Sequence, residues 1–150
     1  MGYPTVSTTW PKTLPLEIRL LVDRFFILAD TKSNDAGARL AHEVFIPDGQ
    51  FISPHATFTG SAEIRESRRN AWVTITSRQH TVSKVYVNDA RGADLIIVGY
   101  LKTKSVDGQQ ACMDFVARMV FDMGSSEARA RLYRVISPPV QDIAPLLADD

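Results

Sequence analysis

Cysteine is nearly absent from this sequence, and histidine is scarce. Cys112 is the one cysteine, so no disulfide can form within the chain, as is typical of a protein from a reducing compartment. The three histidines, His42, His55 and His80, are scattered, and no His-Glu-x-x-His pair or Cys/His cluster is present. The sequence therefore predicts no metal site.

Net charge and long apolar runs are missing as well. Lys plus Arg and Asp plus Glu both number 17, so no overall field attracts nucleic acid or an anionic membrane. No apolar stretch is long enough to cross a bilayer, and the first residues carry no apolar targeting segment. We therefore expect a cytoplasmic protein whose partners include neither nucleic acid nor a membrane.

Nucleotide-binding and nucleophile motifs are also absent. The chain contains no GxGxxG, no Walker loop and no GxSxG elbow. Proton transfer next to a carbonyl, dehydration and ring closure need only a placed acid or base and a dry, shaped pocket. The sequence therefore predicts no cofactor and favours these reactions.

The composition is that of a globular protein. Of the 150 residues, 45% are hydrophobic and 23% are charged, which is enough apolar material for a packed core. Residues 1–12 contain Pro4 and Pro11 and show no periodicity, so we expect a flexible N-terminal arm. Residues 13–150 are predicted to form a single domain.

Three helices are predicted in the first half of the chain. Apolar residues recur at helical spacing over 15–29, and residues 36–45 have the pattern of a shorter helix after capping residues. Gly60 opens a third helix, in which the basic run 65–72 is interpreted as a solvated face. The first helix has the strongest pattern of the three.

Four β-rich runs follow, over 78–87, 93–106, 110–123 and 129–137, and short turns separate them. Consecutive strands joined by short turns predict an antiparallel meander rather than a βαβ sheet. Helices followed by such a sheet make an α+β fold. Because sheets twist, helices laid across the curved face are expected to leave a conical pocket.

Several segments resemble the SnoaL-like group of the nuclear-transport-factor-two-like superfamily, which includes scytalone dehydratase. They are "LADTKSND" at the end of the first helix, "FIPDGQF", "FTGSAEIRES" at the start of the third helix, and "RQH" in the first long strand. The resemblance implies a cone-shaped α+β barrel, a small hydrophobic substrate and a homodimer. Val85 and Val87 are then expected on the outer, dimer-forming face of the sheet.

The same resemblance implies site residues. It pairs Asp30 with His80 across the cavity as an acid–base dyad. A register count back from "FDMG" places Asp114 where the dehydratase has a cavity asparagine and SnoaL-type cyclases have a catalytic aspartate. Leu101 stands where the dehydratase has a second histidine, which argues against scytalone itself as the substrate.

The position of Asp30 also has a physical interpretation. A carboxylate at the C-terminal end of a helix lies on the unfavourable side of the helix dipole, which prefers cations there. A histidine donor near Asp30 would explain the position, because the bond would orient the imidazole and leave its other nitrogen free. The alternative is an ordinary solvated acid at a helix end.

The remaining candidates depend on strand alternation and on apolarity. Asp114 and Arg118 share one strand face, so Arg118 is expected to bind an oxygenated substrate or to pair with Asp114. Solvent exposure of Asp114 and a surface salt bridge of Arg118 are the alternatives. Apolar residues expected to line the pocket around a polycyclic or aromatic substrate are Phe25, Phe51, Trp72, Val82, Leu101 and Val116.

The predicted function is that of a cofactor-independent isomerase, cyclase or dehydratase of secondary metabolism, acting on a polyketide- or terpenoid-like ring system. His80 is the general acid/base, Asp30 orients it, and Asp114 is a second acid/base or a substrate anchor. Two alternatives remain open. One is a non-catalytic small-molecule-binding or dimerisation module. The other is an epoxide hydrolase, with water held by Asp114, another acid and Arg118.

Overall fold

A computed structural model describes residues 2–124 and 127–136 of the chain. The three predicted helices are present, as α1 (Leu16–Ala29), α2 (Ala36–Arg39) and α3 (Gly60–Asn70), and α2 continues into a π-helical turn at Leu40–Val44. Within those described ranges, none of the helices has the length and apolar character that crossing a lipid bilayer requires.

A six-stranded sheet forms the other layer, in the order β2-β1-β6-β5-β4-β3. The strands β1 and β6 run parallel, and every other neighbouring pair is antiparallel. The four predicted runs are the meander β3 to β6, so the α+β class is confirmed. The strand bounds are β1 Phe45–Ile52, β2 Thr57–Thr59, β3 Ile75–Val87, β4 Asp94–Ser105, β5 Gln110–Asp122 and β6 Arg129–Ile136.

The face of the sheet that packs against the helices, here called the inner face, carries the hydrophobic core. Helix α1 contributes Ile18, Val22, Phe25 and Phe26, none of which is more than 1% exposed. The apolar residues of α1 therefore lie on one face of the helix, as their spacing predicts, and that face packs against the sheet. The ring of Phe115 on β5 meets the ring of Phe26 at 5.7 Å between centroids, which identifies this side of β5 as the inner face.

A β-bulge in β3 changes which residues face the core. The pairing of β3 with β4 shifts register between Val82 and Lys84, so Val82 and Val85 are both buried, at 0% and 3% exposure. Val85 belongs to the core cluster, and Val87 packs against that cluster. The prediction that Val85 and Val87 lie on the outer face is therefore wrong.

Residues 2–10, here called the N-terminal segment, contact α1 and β3 instead of forming the expected flexible arm. A short 3-10 helix, Tyr3–Thr5, begins the segment. The buried Asp23 of α1 accepts hydrogen bonds from the Gly2 N–H at 2.8 Å and from the Thr5 hydroxyl at 2.6 Å. Thr9 then forms an isolated parallel bridge with Lys84 of β3. The sequence gives no local sign of this order, because contacts with distant elements produce it.

Candidate active site

Asp30 and His80 meet through two hydrogen bonds, so the predicted contact between them is confirmed. Asp30 caps the C-terminus of α1, and His80 lies in the edge strand β3. The Nδ1 atom of His80 lies 2.6 Å from Oδ1 of Asp30, and the backbone N–H of His80 donates to Oδ2 at 2.7 Å. The side chain of His80 is only 12% exposed, and that of Asp30 only 2%. The carboxylate is therefore fixed against the strand by both oxygens.

The contact determines the tautomer of the imidazole. An ionised carboxylate can only accept hydrogen bonds, so Nδ1 of His80 carries the hydrogen and Nε2 is the basic nitrogen. The imidazole packs against Phe26 and Phe115, with ring centroids 5.0 and 5.6 Å away. Hydrogen bonding and ring packing together hold the ring in one orientation, as a positioned acid or base requires.

Tyr3 is a third donor to Asp30 that sequence reasoning missed. Its hydroxyl donates to Oδ2 of Asp30 at 2.5 Å. Burial, together with the hydrogen bond to Asp30 and the negative charge of that residue, raises the pKa of the Tyr3 hydroxyl above its ordinary value. The phenol therefore stays protonated and continues to donate. No local pattern pointed to Tyr3, which lies in an aperiodic segment.

A row of paired residues extends from His80 across the inner face. His80 pairs with Leu101 of β4, and Leu101 pairs with Met113 of β5, so the three side chains share one face. Leu101 is half-buried, and Met113 is 47% exposed. Trp72, just beyond α3, is half-buried as well. Leu101 and Trp72 thus stay candidates for contact with a substrate.

Three other apolar candidates belong to the packed core instead. Phe25, Phe51 and Val82 are 1%, 6% and 0% exposed. The ring of Phe25 lies 5.6 Å from that of Phe51 and 4.1 Å from that of Tyr133, measured between centroids. The expectation that these side chains line an open pocket is therefore wrong in this structure, because aromatic rings from α1, β1 and β6 fill that part of the space.

Asp114, Val116 and Arg118 lie on the outer face, away from His80. Side chains alternate along a strand, and Phe115 faces inward, so its two neighbours face outward. Asp114 is exposed, and Arg118 forms a two-point ion pair with Asp94, at 3.0 and 2.8 Å. That pairing lowers the pKa of Asp94. The expected placement of all three in the pocket is wrong, and the residues assigned to an epoxide hydrolase are not brought together.

Two arginines that were not predicted lie close to the Asp30–His80 pair. Arg68 of α3 donates from Nη1 to the backbone oxygen of Ala29 at 2.9 Å, and Arg78 shares the inner face of β3 with His80. Both arginines are half-buried, so interpreting the basic run as fully solvated is wrong for Arg68. Spacing could have revealed them, because Arg68 follows Ile64 by one helical turn and Arg78 precedes His80 by two strand positions.

The described part of the chain has two surface cavities, and Arg68 lines one of them. One, of about 420 Å³, lies beside the start of β1 and is lined in part by Phe45 and Asp48. The other, of about 450 Å³, lies between residues 33–37 and α3. Asp30 and His80 line neither cavity.

Comparison with known proteins places the fold. No family model matches the chain, and no curated protein matches its sequence. Among solved structures, a nuclear transport factor 2 (NTF2-like) superfamily protein from Salmonella enterica is 17% identical with a TM-score of 0.66, and the match covers 85% of this chain and 93% of that one.

Two further structures are similar to the same extent. One, TerC co-crystallised with polyporic acid, is 15% identical with a TM-score of 0.65, over 83% of this chain and 94% of that one. The other, a type 2 hexachlorocyclohexane dehydrochlorinase (LinA), is 13% identical with a TM-score of 0.67, over 81% of this chain and 83% of that one. The expected architecture is thereby confirmed: the chain has the nuclear-transport-factor-two-like fold.

Proposed function

We propose that the protein is a cofactor-independent acid–base enzyme of secondary metabolism, an isomerase, cyclase or dehydratase that acts on a polycyclic polyketide- or terpenoid-like substrate. The observation that carries the proposal is the 2.6 Å contact between His80 Nδ1 and Asp30 Oδ1. It fixes one tautomer and leaves Nε2 as the nitrogen that exchanges a proton with the substrate.

In a dehydration, each group would have one task. Nε2 of His80 removes a proton from the carbon next to a carbonyl and so forms an enolate. The resulting imidazolium returns that proton to the departing hydroxyl, which leaves as water while the double bond forms. Asp30 stabilises the imidazolium and holds its orientation, and Tyr3 holds Asp30. In an isomerisation the proton returns to carbon instead.

The surroundings of His80 support an aromatic or polycyclic substrate. Leu101 and Met113 share the inner face with His80, and Leu101 is half-buried while Met113 is 47% exposed. Trp72 is half-buried and lies next to Arg78, which is on the same strand face as His80. Two proteins of the same fold are linked to small cyclic compounds: one was crystallised with polyporic acid, and another is named as a hexachlorocyclohexane dehydrochlorinase. Both names describe those proteins, and their bearing on this chain is part of the proposal.

The test uses 3-hydroxy-1-tetralone, a bicyclic β-hydroxyketone that loses water to give 1-naphthol. The protein is expected to accelerate naphthol formation, measured by fluorescence, and His80→Gln to lower the rate about 10²- to 10⁴-fold. His42→Gln is the matched control, because His42 is exposed and lines a cavity to which neither Asp30 nor His80 contributes. A His80→Gln protein as fast as the wild type would contradict the mechanism.

A non-catalytic small-molecule-binding module is the second candidate. The low exposure of Asp30 and His80 favours it, and so does the fact that neither residue lines either of the two surface cavities. In the same assay it predicts that the tetralone binds and that no naphthol forms, in the wild type and in His80→Gln alike.

The proposal includes a homodimer formed through the outer face of the sheet. Val116 and Leu132 are half-buried there, and Ile136 is 48% exposed, which gives this face apolar surface to cover. A single monomeric species in sedimentation velocity at micromolar concentration would contradict it. A cytoplasmic location stays a prediction.

A further inference from the structure

We propose that Arg68, Arg78 and Trp72 form a binding subsite for a conjugated oxyanion of the substrate, such as a carboxylate or an ionised enol, beside His80. The binding itself is independent of the reaction. The role of the subsite in turnover rests on the proposed function.

Arg68 brings a buried donor that lacks a partner. Its guanidinium lies over the ring of Phe51, with the central carbon 5.5 Å from the centroid, and Nη1 is held by the Ala29 oxygen. The Nε atom is buried and has no hydrogen-bond partner among the described residues. Burial, and then the nearby charge of Arg78, lowers the pKa of Arg68 to about 10. A buried, unpaired N–H of this kind is costly, so it points to a ligand.

Arg78 and Trp72 present two more such donors. The guanidinium of Arg78 lies over the Trp72 ring, 5.9 Å from its centroid, and Nη2 donates to the backbone oxygen of Ala71 at 3.3 Å. Within residues 2–124 and 127–136, Nε of Arg78 and Nε1 of Trp72 are buried without a hydrogen-bond partner. Two guanidinium groups and one indole therefore offer three unused N–H donors.

The local charges favour an anion. Arg68 and Arg78 repel each other across the site, and Asp30 is the acid close enough to oppose both. The two oxygens of Asp30 already accept from His80 and Tyr3, and no hydrogen bond joins either arginine to Asp30 in the described chain. The two positive charges of Arg68 and Arg78 thus face the single negative charge of Asp30, whose oxygens already accept other hydrogen bonds. An incoming oxyanion would balance the remaining positive charge.

The placement of the subsite would matter for the reaction. Arg78 and His80 are two positions apart on one strand face, so their Cα atoms lie roughly 6.5 Å apart. An oxyanion bound by Arg78 and Arg68 is then within reach of the carbon that exchanges a proton with Nε2. Charge that develops on the oxygen during enolate formation would be stabilised by donors already in place.

The test compares two isosteric probes, 2-naphthoate and the neutral 2-naphthamide, by isothermal titration calorimetry. The wild type is expected to bind the naphthoate at least about tenfold more tightly. Arg68→Gln and, separately, Arg78→Gln are expected to weaken naphthoate binding about ten- to a hundredfold and to leave naphthamide binding unchanged. Arg69→Gln is the matched control, because Arg69 is one residue along α3, removes the same charge and has a 77% exposed side chain.

Three outcomes would overturn the proposal. Equal affinity of the wild type for both probes would mean that no oxyanion subsite exists. Unchanged naphthoate binding in both variants would mean that the arginines only stack on their aromatic neighbours. Equal losses in Arg68→Gln and Arg69→Gln would place the anion in the surface cavity that both residues line. If Arg68→Gln does not fold by circular dichroism, Arg78→Gln decides the matter.

The result is separable from the test of the reaction. Preference for naphthoate without any conversion of the tetralone would support the subsite and contradict the enzyme. Conversion of the tetralone that depends on His80, with equal affinity for naphthoate and naphthamide, would support the enzyme and contradict the subsite.

Discussion

Asp30→Asn is expected to lower turnover of a reacting substrate about 10²- to 10⁴-fold. In the wild type, the two carboxylate oxygens face three donors: the Nδ1–H and backbone N–H of His80, and the Tyr3 hydroxyl. An amide has only one oxygen, so its NH₂ group must face either the ring nitrogen or the backbone N–H. If it faces the ring, Nδ1 becomes the acceptor and Nε2 carries the hydrogen, which removes the base.

Nitrogen-15 NMR of the imidazole measures this directly. The wild-type His80 is expected to show a protonated Nδ1 and an unprotonated Nε2, and Asp30→Asn to show the opposite assignment. If instead the NH₂ group faces the backbone, the variant loses about 1–3 kcal/mol of unfolding free energy, as urea denaturation would show. Asp114→Asn is the comparison, and a rate loss in that variant would contradict the outward placement of Asp114.

Phe25→Ala is expected to lower the unfolding free energy by about 3–5 kcal/mol, the usual cost of removing a fully buried aromatic ring. Phe25 is 1% exposed, and its ring contacts those of Phe26, Phe45, Phe51 and Tyr133. Urea denaturation followed by fluorescence measures the loss.

The matched comparison for Phe25→Ala is Leu101→Ala. Leu101 is half-buried beside His80, so its truncation is expected to reduce binding of an aromatic probe more than stability. A small loss of stability in Phe25→Ala together with a large loss of probe binding would instead indicate that Phe25 lines a ligand pocket.

Strong periodicity explains what could be predicted from the sequence. The helix over 15–29 and the four long strands have regular apolar patterns with clear turn signals between them, and these elements are present in the structure. The pairing of Asp30 with His80, fifty positions away, did not follow from any pattern. It came from the resemblance of two segments to a known family, supported by the odd position of an acid at a helix end.

Strand parity explains the main errors. Assigning side chains to a sheet face by counting alternate residues fails when the count starts one residue off. An error of this kind placed Asp114, Val116 and Arg118 on the inner face, although they lie on the outer face. For Val85 the cause is different, because the bulge at Val82 and Lys84 reverses the alternation within one strand. Tyr3 and the two arginines depend on contacts between distant elements, which a local pattern does not contain.

The N-terminal segment also bears on how copies of the protein can associate. β3 is one edge of the sheet, and Thr9 donates to the Ser83 oxygen and accepts from the Val85 N–H. Those backbone groups are consequently unavailable to a strand from another molecule. The opposite edge, β2, is only three residues long. With one edge bridged at Ser83 and Val85 and the other edge short, the sheet leaves fewer backbone groups open to pairing with a strand of another molecule.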